Sequence, residues 1–216
     1  MSAIKMWKVV IFQHRLLHYR IDFFNRLRDA CIAEGINIEL VHGQAAPSEK
    51  SRQDESHLEW ATPVVNTWFR VGSKDLLWQR LPSTHRDADI FVIMQESRIL
   101  SNYPLLMKHA FGLANVAYWG HGANFQSMSR DGVRERWKRF LIGQVDWWFA
   151  YTNETRKVLL ASNVEDARIS VLNNAIDTEG FIQQLESLSE NEIATFRSSE
   201  RLSDEDLVGV YCGSLY

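Results

Sequence analysis

Cysteine is nearly absent from this sequence. There are two, Cys31 and Cys212, and neither belongs to a CxxC pair. Cys31 falls on an apolar helical face and Cys212 in an apolar run, so both read as reduced core thiols of a reducing compartment rather than a disulfide framework. A long apolar segment is absent too. Nothing near the N-terminus resembles a signal peptide and no run is long enough to span a bilayer, so the expected location is cytoplasmic. Nor is there an excess of charge of one sign. With 24 Lys and Arg against 27 Asp and Glu, the net charge is −3, which gives no footing for bulk nucleic-acid binding. What is present is an ordinary soluble composition, 45% hydrophobic and 24% charged over 216 residues, enough for one sizeable domain or a domain plus a fragment of another. Eight tryptophans and eleven phenylalanines are many, some for a core and some for a cleft.

Strand and helix patterns alternate along the chain. The β-branched run WKVVIFQ, Trp7–Gln13, predicts a buried strand. In YRIDFFNRLRDACIAEG the residues Ile21, Phe24, Leu27, Cys31 and Ile32 recur near the helical period, with Gly35 as the cap. INIELVHG is a second strand. Residues 43–66 are polar and aperiodic and read as a long surface loop. TWFRV reads as an edge strand and DADIFVIMQ, Asp87–Gln95, as a buried one. YPLLMKHAFGL is a helix with Pro104 in its first turn, and NVAYW is the next strand. A basic helix runs from about Gly132 to Gly143. DWWFAYT, NETRKVLLAS and RISVLNN give strand, helix and strand, and residues 183–200 a charged helix. DLVGVYCGSLY opens a fresh apolar strand with a glycine turn. Strands alternating with crossover helices predict an α/β fold: a Rossmann-like parallel sheet of six or seven strands with helices on both faces. In such sheets ligands bind at the carboxyl ends of the strands. A strand that opens a new unit cannot bury itself, so the expected domains are 1–182, a connecting region at 183–205, and 206–216 as the first strand of a second domain.

Four segments in order resemble the N-terminal half of a retaining glycosyltransferase of group 1 (family 4 like), built on the two-domain GT-B fold. HYRIDFFNRL, His18–Leu27, is similar to that family's first strand-to-helix turn. YWGHGANFQ, Tyr118–Gln126, resembles its loop with a functional histidine. VLNNAIDTEGF, Val171–Phe181, resembles the segment before the interdomain linker, with Asn173 in place of a proline and Ala175 in place of a glycine. VGVYCGSLY resembles the opening of the donor-binding domain. The first loop lacks the family's glycine pair, and Glu192 and Glu200, though spaced like its E-x7-E donor motif, fall in a charged helix ahead of that domain. The resemblance implies one half of a GT-B fold that transfers a sugar from a nucleotide-sugar donor to a glycan or lipid-linked acceptor, with no cofactor and no metal, and with this half inactive alone.

His121 carries the strongest site reading. It lies between Gly120 and Gly122 at the end of a predicted strand, where the missing Cβ atoms let a ligand approach the backbone. In the family the matching histidine reaches the donor sugar or its phosphate, where a ring N–H stabilises charge as the bond to the nucleotide breaks. The ordinary alternative is a loop histidine with a structural hydrogen bond. Asn124 and Asn174 join the binding set with the same loops. His18, Tyr19 and Arg20 line the cleft, or form a capped turn with a solvated arginine. His14 and His18 have the spacing of an HExxH zinc site, but Arg15 stands where the glutamate would be, so no metal is expected. Glu96, in QESR at another strand end, could orient an acceptor hydroxyl; the alternative is a salt bridge with Arg98. Arg134, Arg136, Lys138 and Arg139 form a solvated face of the 132–143 helix, or a contact with anionic headgroups, while Val133, Trp137, Phe140 and Leu141 face the sheet. Asn153-Glu154-Thr155 reads as a helix N-terminus. Two other functions stay open: a nucleotide-sugar epimerase of the same architecture, and a non-enzymatic α/β binding module.

Overall fold

The computed structural model describes residues 5–50, 53–72, 74–122, 137, 140–173, 176–203 and 205–211. The chain divides into two compact units, Met1–Ile176 and Asp177–Tyr216.

The first unit is a Rossmann-like α/β layer. Its strands are β1 (Trp7–Gln13), β2 (Ile36–His42), β3 (Thr62–Pro63), β6 (Ile90–Met94), β7 (Val116–Gly120), β8 (Trp147–Ala150) and β9 (Ile169–Val171). They form one seven-stranded sheet in the order β3-β2-β1-β6-β7-β8-β9, and every pairing is parallel. The two strands expected from DIFVIMQ and NVAYW are neighbours, with Phe91 opposite Val116 and Ile93 opposite Tyr118. Helices α1 (Ile21–Ala33), α2 (Asn102–Ala110) and α3 (Asn153–Ala161) connect the strands.

Side-chain alternation along each strand divides the core between two faces. Val10, Phe12, Phe91, Ile93, Val116 and Tyr118 pack with Leu105 of α2 and Leu159 of α3. The intervening Ile11, Val92, Ala117 and Trp119 pack with Phe24 of α1. Both faces are covered, which is why the strands read as continuous apolar runs.

Local chemistry sets the helix ends. Gly35 follows α1 with φ +74°, and its N–H bonds Ile32 O at 3.1 Å, so the predicted glycine cap is there. Thr152 caps α3 through Thr155 N, and the NET triplet does begin that helix.

Several expectations need correction. TWFRV is not an edge strand of the main sheet. It is part of β4 (Asn66–Val71), which pairs antiparallel with β5 (Lys74–Gln79) in a separate hairpin; KDLLWQ is too short to show a clear alternation and went unread. Residues 43–66 are more than a surface loop: they supply β3, and Ala45, Ala46, Leu58 and Ala61 are buried. The single charged helix of 183–200 is two helices, α4 (Thr178–Glu186) and α5 (Glu190–Ser199), separated where Ser189 and Glu192 form a capping box. Glu192 is thereby a capping residue and not part of a donor motif.

In the second unit, none of the described residues from Asp177 to Tyr211 is buried, and residues 206–211 carry no strand. A single extended segment has no ladder partner to hold it as one. Residues 212–216, including Cys212, lie outside the described set. In the basic segment, Leu141 is buried as expected, whereas Trp137 and Phe140 are exposed and stack on each other rather than on the sheet. Val133, Arg134, Arg136, Lys138 and Arg139 lie outside the described residues.

Candidate functional site

The seven parallel strands end along one edge, and most of the chemistry-bearing side chains lie there. After β7 the chain turns at His121. Gly120 and Gly122 are used by the protein itself. A Cβ at Gly120 would come within 2.8 Å of Gln95 Cβ, and Gly122, at φ +71°, would press a Cβ to 3.3 Å from Leu159 Cδ2. The expected reason for these glycines, close approach of a ligand, gives way to close approach of β6 and α3. The outcome for His121 is an exposed side chain at the end of β7.

Its ring lies 4.3 Å, centroid to centroid, from that of Tyr151, tilted by 36°. Tyr151 follows β8 and is buried. Behind it sits Arg20, also buried, whose guanidinium is 5.3 Å from the ring centroids of both Trp119 and Tyr151 and 5.7 Å from that of Tyr19. The turn His18–Arg20 leads directly into α1, so a cation packs against aromatic faces at the mouth of the fold. Burial lowers the His121 pKa, the Arg20 charge lowers it further, and Glu96 opposes both. Burial also raises the Tyr151 pKa. At neutral pH the site therefore presents a neutral imidazole with a fixed positive charge behind it.

The structure thus brings together Tyr19, Arg20, Glu96 and His121 of the predicted set. His18 goes elsewhere: its N–H and ring both meet Asp54 O, at 2.9 and 3.2 Å. Asn124 and Asn174 lie outside the described residues. Tyr151 was missed; the signal that could have found it is its position directly after a strand, like that of His121.

The neighbouring half of the edge is a charged clamp. Glu96 bonds Arg98 at 2.6 Å, the salt bridge offered as its alternative reading. Arg98 also reaches Glu49 at 3.4 Å. The His14 ring is 3.7 Å from Glu49 and 3.9 Å from Glu96. Arg15, buried, pairs with Asp54 and lies 3.9 Å from Glu49. His14, against burial, holds the Glu49 carboxyl far below the ordinary range, helped by the Ala46 amide and Arg98. His14 therefore sits between two carboxylates of the protein. Among the described residues no group of three or more His, Cys, Asp or Glu is arranged to hold a metal. No described helix is long and apolar enough to cross a membrane.

No family model matches this chain, and no curated protein matches it. Solved structures do. HepE from Anabaena, in complex with UDP and glucose, aligns over 90% of this chain and 50% of its own, with 10% identity and a TM-score of 0.50. The UDP-GlcNAc 2-epimerase of Methanocaldococcus jannaschii aligns over 89% and 53%, with 17% identity and a TM-score of 0.44. The UDP-GlcNAc 2-epimerase of Neisseria meningitidis, bound to UDP-GlcNAc, aligns over 91% and 54%, with 9% identity and a TM-score of 0.45. At these identities the likeness is one of fold. The chain spans about half the length of these structures, as one Rossmann-like half of a GT-B-like molecule does.

Proposed function

We propose that this chain is half of an enzyme acting on a nucleotide-sugar of the UDP class, with His121, Arg20 and Tyr151 facing the junction of sugar and diphosphate. The observation that supports this most is the juxtaposition of an open imidazole and a buried guanidinium at the carboxyl edge of a parallel sheet, in a fold shared with a protein that binds UDP and glucose. Negative charge builds on the diphosphate oxygen as its bond to the sugar weakens. A fixed cation and a ring N–H at that point stabilise the charge without reorganising during the reaction. The nucleotide itself takes part as substrate, and neither role requires a metal or a cofactor.

Two chemistries belong to this reading. Epimerisation, the reaction named for two of the neighbours, comes first. It needs a group that takes a proton from a sugar carbon, and Glu96 is the carboxylate whose charge reaches both His121 and Tyr151. Glycosyl transfer is second. It is favoured by the order of the four sequence segments, and a glycan or lipid-linked acceptor, with a membrane contact through 132–143, goes with it. The complete protein is to be incubated with UDP-GlcNAc and UDP-glucose and followed by proton NMR. Inversion of a ring proton without release of UDP supports epimerisation; release of UDP that depends on an added glycan supports transfer. His121→Ala should lower turnover on the order of a hundredfold in either case, with substrate affinity changed much less. Unaltered turnover in that variant would return His121 to a structural role.

A further inference from the structure

On the other face of the sheet from Trp119 and Tyr151 lies a cavity of about 110 Å³. Its floor is made by Phe12 of β1, Ile93 of β6 and Leu105 of α2, all members of the core cluster on the α2 side. Its wall is β5 of the separate hairpin, which hydrogen bonds hold in place: Leu77 N to Arg98 O at 2.9 Å, Leu100 N to Leu77 O at 2.7 Å, and the Gln79 side-chain amide to Gln13 O at 2.9 Å. The cavity is therefore built by the fold. Protein interiors leave few voids larger than a water molecule; here the floor is apolar, while Gln79, Ser101 and Asn102 line the sides. An engineered apolar cavity of about 150 Å³ takes up benzene, so the space here fits a ring or branched chain of comparable or slightly smaller size.

Polar groups fix how such a guest would lie. At the inner end is buried His14, with Glu49 at 3.7 Å and Glu96 at 3.9 Å from its ring. At the mouth are Trp78, 42% exposed, and Lys108, exposed. The Lys108 ammonium makes no ion pair or hydrogen bond among the described residues. A lysine in the lining and an apolar floor define a polarity.

We propose that this cavity is a binding site for a small amphipathic anion, with its apolar end on Phe12, Ile93 and Leu105 and its carboxylate or phosphate at Lys108. The site is separate from His121 and does not rest on the nucleotide-sugar reading. The test is a titration of the protein with benzoate, benzyl alcohol and benzylammonium, following the Met94 methyl and Trp78 indole resonances by NMR. Benzoate should give saturable shifts, benzyl alcohol weaker ones and benzylammonium the weakest. Lys108→Gln, a surface change, should bring benzoate down to the level of the alcohol. Leu105→Phe, which fills the floor, should abolish all three responses, with the amide spectrum confirming the fold. Shifts that stay linear with concentration, equal responses to the three probes, or benzoate preference that survives Lys108→Gln would each overturn the proposal.

Discussion

The two halves of the sheet edge solve opposite problems. At the ends of β1 and β6, charges answer charges: Arg15 with Asp54, Arg98 with Glu96 and Glu49, His14 between two carboxylates. Every member faces another, and Glu49 and Asp54 are tied across the edge as a result. At the ends of β7 and β8, one cation is surrounded by aromatic faces and one imidazole stands open. The first half is dominated by ion pairs; the second sets an exposed imidazole beside a guanidinium packed on aromatic rings. A cluster of ionisable side chains at a strand edge is thus not by itself a site. What separates the two is what surrounds the charges: carboxylates in one half, aromatic rings in the other.

The comparison breaks first at Arg15. Removing one partner of a buried ion pair leaves the other uncompensated, and Arg15→Ala should destabilise the chain by about 3–5 kcal/mol. His121→Ala, on the open side, should change stability by no more than about 0.5 kcal/mol. Urea denaturation of the two variants checks this. Similar small costs in both would mean that the clamp is solvated and the distinction false. Gly120→Ala comes next. Its new Cβ would meet Gln95 Cβ at 2.8 Å, and the backbone of two packed strands must move, at a cost of about 1–3 kcal/mol. Unchanged stability would mean that the glycine is there for a ligand after all.

Much of the frame was legible and much of the site was not, for different physical reasons. Fully buried parallel strands announce themselves as apolar runs, and Gly35, Pro104 and the NET triplet mark helix ends by rules local to a few residues. The hairpin β4–β5 left only a glycine and a serine as its turn signal. The clamp joins His14 and Arg15 to Glu49 and Asp54, with Arg98 beyond; no periodicity reports such separations. Arg20 could be placed near the cleft from its turn, but its burial against Trp119 and Tyr151 depends on three segments meeting. Asn173 is instructive. Its φ of +55° is one that asparagine tolerates and proline, fixed near −65°, cannot adopt. The departure from the family pattern at that position marks a different turn.

Acid sharpens the contrast. The Glu49 carboxyl is held below its ordinary value of 4.5, first by His14. Its contribution to stability is complete above the unfolded value and is lost as pH falls from about 4.5 through the lower folded value. Glu49→Gln should therefore reduce stability at pH 7 and flatten the fall below pH 4.5, as measured by denaturation at a series of pH values. A fall as steep as in the parent chain would assign the acid sensitivity to other carboxylates.

The smallest effect belongs to the open side. His121 has its pKa lowered from 6.5, first by burial and then by the Arg20 charge, with Glu96 opposing. A depressed histidine favours the neutral ring in the folded state. Its contribution is full above the unfolded value near 6.5 and declines as pH drops through the folded value, the same sign as for Glu49 but in a higher window. NMR titration of the ring should give a midpoint below 6.5. Arg20→Gln removes the second cause and leaves the first, so the midpoint should rise toward 6.5 without passing it. A midpoint that does not move would mean that the guanidinium is screened from the imidazole by Tyr151. The cation and the ring would then serve separate ligand groups, and the single charge-stabilising unit proposed at this edge would have to be divided.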